Sequence, residues 1–172
     1  MRKIRAAASG PPEAPRGRGA GAARPDTRSL RLDRQLCFSL YSAQHAMTRA
    51  YRPFLDALGL TYPQYLVLLA LWQREDETVS ALGERLCLDS GTLTPLLVRL
   101  ASRGFIRREK GARDGREVRL RLTAAGRALE GRAVEVRARV MDTTGLSARG
   151  IEQLKVQLLG LRAHLLLGQR AA

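Results

Sequence analysis

Apolar and polar positions along the chain fall into six helical stretches and one short hairpin. Leu32, Leu36, Leu40, Ala43, Met47 and Ala50 step by four and three, which predicts a helix from Leu30 to about Tyr51 with a stripe suited to packing on another helix. Asp33 falls in its first turn, the end that favours an anion. Pro53 and Gly59 punctuate the next segment. Thr61-Tyr62-Pro63 then starts a second helix with a cap and an early proline. Leu66, Leu69, Ala70 and Trp72 make that helix apolar on nearly every side, so it belongs at the centre of the core. Glu75-Asp76-Glu77 reads as an acidic, solvated turn. Val79, Leu82 and Leu86 mark a third, short amphipathic helix.

Leu88-Asp89-Ser90-Gly91 breaks the pattern with turn and cap chemistry, Ser90 or Thr92 being the expected N-cap of a fourth helix. That helix buries Leu93, Leu96, Leu97 and Leu100, tolerates Pro95 only near its first turns, and stops at Gly104. Ser90, Thr92, Thr94 and Arg99 remain for the other face, and hydroxyls at a helix N-terminus suit a base edge or a phosphate. After Phe105-Ile106-Arg107-Arg108-Glu109 and a Gly/Asp-rich turn, Val118, Leu120 and Leu122 alternate with Arg119 and Arg121. Period-two alternation is the mark of a half-buried strand. A helix-turn-helix followed by a basic hairpin is a winged helix, one helix for the major groove and a wing for the minor groove.

Charge strengthens this reading. Between Arg103 and Arg121 stand eight Lys/Arg against three Asp/Glu, and the whole chain of 172 residues carries +14. Both point to a polyanionic partner, double-stranded DNA. Residues 1–29, rich in Ala, Gly, Pro and Arg, cannot bury enough surface to offset their ordering entropy and are expected to be a disordered basic tail. They lack the apolar segment of a secretory signal. Two cysteines make no disulfide framework, which points to a reducing cytoplasm, and no apolar run is long enough to span a bilayer. Nothing in the sequence has the spacing of a metal site, a phosphate loop or paired catalytic carboxylates, so no cofactor, no metal and no enzyme activity are expected.

Past the hairpin, Thr123 caps a helix from Ala124 to about Met141, and Ser147 caps a last one from Ala148 to Leu167. Ile151, Leu154, Leu158, Leu161 and Leu165 make a seam longer than a monomer of this size needs. With the first helix it reads as a dimer interface; an intramolecular helix pair is the alternative. A symmetric dimer would set two recognition helices roughly one helical turn of DNA apart, ~34–36 Å, on a pseudo-palindromic operator. Cys37, in the second turn of the first helix, has Tyr41 four residues on. It is either an inert small core residue or, near a helix N-terminus and a phenol, a reactive thiol. His45 reads as a surface or packing residue, and Cys87 as packing.

The order of helix, core helix, winged helix-turn-helix and two C-terminal helices resembles the MarR family of bacterial regulators. Asp114-Gly115-Arg116 followed by Leu122-Thr123 looks like that family's wing signature. Within it, the stretch from Leu36 to Trp72, with Cys37, Tyr41, Tyr51 and Tyr62, and LGERLCLDSGTLTPLL resemble the organic-hydroperoxide-sensing (OhrR-type) branch. The resemblance runs from about Leu32 to Leu167. It implies that Cys37 is a sensing thiolate, with Tyr41 beside it and Tyr51 and Tyr62 reaching it from the other subunit as hydrogen-bond donors. Apolar neighbours such as Phe38 and Phe54 would favour an organic hydroperoxide as inducer. Oxidation would give a sulfenic acid that a low-molecular-weight thiol caps, because the C-terminal helices carry no second cysteine, and the repressor would leave its operator.

The expected architecture is therefore mainly α with a small β-hairpin wing. A MarR-type domain over 30–172 holds a winged helix-turn-helix at about 62–123 and dimerisation helices at about 30–58 and 124–167. DNA contacts are expected from Ser90, Thr92, Thr94 and Arg99, and from Arg113 and Arg116 in the wing, where Asp114 pairs with an arginine. Two other functions fit the same residues: a regulator answering a small phenolic ligand in the dimer cleft, and a sequence-neutral architectural DNA binder.

Overall fold

The computed structural model describes residues 27–110 and 117–170. The expected tail, apart from its last three residues, and the wing tip with Arg113, Asp114 and Arg116 lie outside them. The described residues fall into two units, 27–39 and those from 40 onward. In the first, two 3-10 turns, Thr27–Leu30 and Leu32–Arg34, precede the helix that the leucine stripe predicts. The α-helix itself, α1, runs Leu36–Asp56, and from Leu40 on it belongs to the second unit. Asp33 thus sits before α1 and pairs with Arg31 at 2.9 Å, and Cys37 falls in the first turn instead of the second. Nor does Pro53 end the helix. One ladder donor is missing there, yet the last turn holds because Leu55 is buried in the core and its carbonyl accepts from the backbone N–H of both Leu58 and Leu60.

In the second unit, α2 (Tyr62–Gln73) is the central element, with Val67, Leu68 and Leu71 wholly buried. Its start is the expected one: Thr61 and Gln64 cap each other reciprocally, with Pro63 in the first turn. Around it pack α3 (Val79–Leu86), α4 (Ser90–Ser102) and α5 (Ala124–Asp142), through Leu82, through Leu93, Leu97 and Leu100, and through Leu129, Ala133, Val136 and Val140. Thr123 caps α5 as expected. Trp72 is only partly buried, and its indole N–H donates to the carbonyl of Gly126 at 3.0 Å.

The wing is a three-stranded antiparallel sheet, not a two-stranded hairpin. Strands β2 (Ile106–Lys110) and β3 (Val118–Leu122) pair from Ile106↔Leu122 to Lys110↔Val118, and β1 (Glu77–Thr78) lies on the other side of β3. Of the expected solvated turn Glu75-Asp76-Glu77, Glu75 is exposed but Glu77 is not. Glu77 enters the sheet opposite Leu120, is 4% exposed, and meets Arg85 of α3 at 2.8 Å. The final helix, α6 (Ala148–Arg170), buries no residue within the chain. Leu154, Leu158 and Leu165 of its predicted seam are 44%, 40% and 58% exposed, so the seam is not closed by an intramolecular helix pair.

Candidate functional site

Two groups of side chains stand out, one on α4 and the wing, one among the tyrosines. The turn into α4 is built by Asp89, which displaces the expected Ser90 and Thr92 as N-cap. Its carboxylate accepts from the Thr92 backbone N–H and from the Thr92 hydroxyl, both at 2.9 Å. Those two bonds, the backbone one first, hold the Asp89 carboxyl below the usual carboxylate range. An anion thus already occupies the N-terminus of α4. That disfavours a second anion at this end of the helix.

Ser90, Thr92, Thr94 and Arg99 are all exposed, as expected of a reading face. They do not form one stripe. At about 100° per residue, Thr92 and Arg99 lie on one flank, Ser90 and Thr94 on the other, and Gly91, Pro95 and Val98 make the ridge between. Val98 is 49% exposed. This smooth apolar ridge is absent from the contacts expected above. Its signal, a proline and a valine off the leucine face, is present in the sequence.

On the wing, Arg107, Arg108 and Lys110 are exposed and form no ion pair among the described residues. Arg119 and Arg121 are engaged instead. Arg119 meets Asp76 at 3.3 Å and Glu117 at 3.6 Å, while Arg121 meets Asp76 at 3.1 Å and Glu109 at 3.2 Å. Of the wing's described cations, β2 supplies the free ones. The expected contacts Arg113 and Arg116 lie outside the described residues.

The second group is aromatic. Tyr51 of α1 and Tyr62 of α2, two of the expected sensor partners, lie with ring centroids 5.1 Å apart. Tyr65, which the sequence did not single out, joins them at 5.5 Å from Tyr51 and 6.4 Å from Tyr62. Burial raises the pKa of all three phenols, Tyr65 to about 12. They are neutral O–H donors at any physiological pH. Tyr41 is 60% exposed and lies against His45, ring centroids 4.3 Å apart and planes tilted by 58°. Cys37 is exposed, in the first turn of α1, so it is not a core residue. Beside Tyr62, between α1 and α2, an open cleft of about 420 Å³ is lined by Arg49, Arg52 and Thr61 among others.

Cys87 is exposed too, contrary to the expectation of packing. It ends α3 in the left-handed region, φ +57°, and the Arg162 guanidinium donates to its Sγ at 2.8 Å. Among the described residues, no His, Cys, Asp or Glu side chains gather to hold a metal ion, and no helix is long and apolar enough to cross a membrane.

Comparison with known proteins gives this geometry a family. Residues 60–118 match the MarR family model. The chain is 44% identical over 132 residues to the organic hydroperoxide resistance transcriptional regulator of Bacillus subtilis (strain 168), covering 77% of this chain and 90% of that protein. It is 47% identical over 134 residues to the HTH-type transcriptional regulator TtmR of Methylorubrum extorquens (strain PA1), covering 78% of this chain and 69% of that one. Among solved structures, reduced AbfR bound to DNA superposes with a TM-score of 0.67 at 33% identity, over 81% of this chain and 98% of AbfR. The chain belongs to the MarR family, in its OhrR-type branch, and is a DNA-binding transcriptional regulator, not an enzyme.

Proposed function

We propose that this chain is a dimeric repressor that senses organic hydroperoxides through Cys37 and leaves its operator when that thiol is oxidised. The observation that carries the reading is an exposed cysteine in the first turn of α1, in a chain 44% identical to an organic hydroperoxide resistance regulator. Leu36 at the start of α1 and the apolar seam of α6, exposed in the single chain, supply the dimer contact. Across the dimer, Tyr51 and Tyr62 donate hydrogen bonds to the Cys37 thiolate, with Tyr41 on the thiol's own helix. Their burial suits this role, because only a protonated phenol can donate. The thiolate attacks a peroxide oxygen; the S–O bond forms as the O–O bond breaks, and the alcohol leaves with a proton. A low-molecular-weight thiol then displaces water from the sulfenic acid to give a mixed disulfide. Loss of the phenol–thiolate bonds shifts the dimer to a half-site spacing DNA does not match. DNA is read by Ser90, Thr92, Thr94 and Arg99 on α4, and by Arg113 and Arg116 of the wing.

One observation favours a second reading. The cleft is lined by Tyr62 and by Arg49, with Arg52 held 3.7 Å from Asp56, so one phenol ring and one guanidinium are available to a small phenolic anion, with Cys37 a bystander. Binding of a selected duplex by wild type and Cys37→Ser, with and without stoichiometric cumene hydroperoxide and a small thiol, separates the two. Release of wild type alone supports the thiol switch. Retention of both on DNA removes Cys37 as the sensor and moves the search to the cleft.

A further inference from the structure

Asp76 sits in an unusual place. It has left-handed backbone, φ +59°, without being glycine. Its carbonyl accepts from the Arg119 guanidinium at 2.9 Å, and its Oδ2 lies 3.1 Å from Arg121 and 3.3 Å from Arg119. Its Oδ1 is buried and has no hydrogen-bond partner among the described residues. The register explains the meeting: Thr78 pairs with Arg119 and Glu77 with Leu120, so Asp76 comes next, beside Arg121. From the far side of the sheet Glu109 faces Arg121, and Glu117 flanks Arg119.

Two arginines on the middle strand of a DNA-binding wing are thus each paired with two of three carboxylates. Cations poised for phosphate would not be neutralised in this way, and Arg107, Arg108 and Lys110 are not. The segment carrying Asp76 leads, three residues on, into α3, the first helix of the helix-turn-helix. We infer that Asp76 is a positioning residue for operator recognition: through Arg119 and Arg121 it fixes the wing against the helix-turn-helix, so that wing and α4 meet one duplex together. The left-handed backbone aims the carboxylate at both guanidinium groups. Glu77 and its Arg85 partner anchor the same segment from the core side. The inference rests on the DNA binding that comes with the family, not on the thiol switch.

Its test exploits a difference of sign. Asp76→Asn raises the net charge by one, so electrostatics alone predicts tighter binding to any duplex. A positioning role predicts the reverse for a cognate site only. The probes are a duplex selected by the wild-type chain from a random pool and a scrambled duplex of equal length, titrated at several salt concentrations. Expected for Asp76→Asn is about three- to tenfold weaker binding to the selected duplex, unchanged or tighter binding to the scrambled one, and an unchanged salt slope. Arg119→Gln/Arg121→Gln should lose the same selectivity, also at constant slope, and adding Asp76→Asn to it should cost nothing further. Equal tightening on both duplexes for Asp76→Asn overturns the inference. So does a slope for the arginine pair lower by about two units, since each phosphate contact contributes about 0.9. If Asp76→Asn does not fold, the arginine pair alone decides between these outcomes.

Discussion

Burial acts on single phenols in a way that can be titrated. Because Tyr51, Tyr62 and Tyr65 have raised pKa values in the folded chain, the unfolded chain ionises first as pH rises. Their contribution to stability is whole below the ordinary tyrosine value of about 10 and is lost as pH climbs to about 12, the folded value of Tyr65. Thermal melts across that window should fall, phenolate absorbance should rise late in the folded protein, and Tyr65→Phe should flatten both curves. Gly126 is a different kind of residue. A Cβ there would run into the Phe105 carbonyl oxygen, where β2 and α5 close on each other. Gly126→Ala is expected to cost about 1–3 kcal/mol by denaturant titration. Some residue roles were legible and some were not. Cap chemistry at 88–92 was plain, but Asp89, Ser90 and Thr92 all satisfy the same preference, and only the observed bonds single out Asp89. Cys87 hid its exposure because a left-handed C-cap without glycine leaves no signature in sequence.

Among the elements, the six helices could be read because each carries a period and a stop. Their ends moved where neighbours intervened, as at Pro53, which a buried Leu55 outweighs. Strand β1 could not be read at all. Two residues are too few to alternate, and three acidic residues in a row look like solvent-facing chain. What draws Glu77 inside is Arg85, which also donates to the Ala70 carbonyl at 3.3 Å and to Gln73 at 2.9 Å. That one side chain ties α3 to β1 and to the end of α2. Arg85→Ala should leave Glu77 buried and unpaired and destabilise the fold by about 3–5 kcal/mol, whereas Arg85→Lys should recover part of the loss. The cap of α2 has a smaller expected effect: Thr61→Ala should cost about 1 kcal/mol. Equal melting temperatures for these two alanine variants would contradict the placement of Glu77.

For the molecule as a whole, the winged helix and its surroundings followed from periodicity and charge, but the site did not. Periodicity reports which residues face a core, and Cys37 faces none; only its likeness to a family gave it a role. The open leucines of α6 carry the whole-molecule prediction. Leu158→Arg should turn a sedimenting dimer into a monomer and abolish binding to a two-half-site duplex, while far-ultraviolet circular dichroism of the helices changes little. A dimeric Leu158→Arg would place the contact elsewhere.

That exposed seam also makes the amount of protein a thermodynamic variable. Where folding and pairing are linked, each tenfold dilution removes about 1.4 kcal/mol of support per dimer, and the melting temperature slides downward with it. A regulator kept scarce would hold its shape less firmly than the same chain in concentrated solution, and an operator gathering two copies would restore what dilution had taken away.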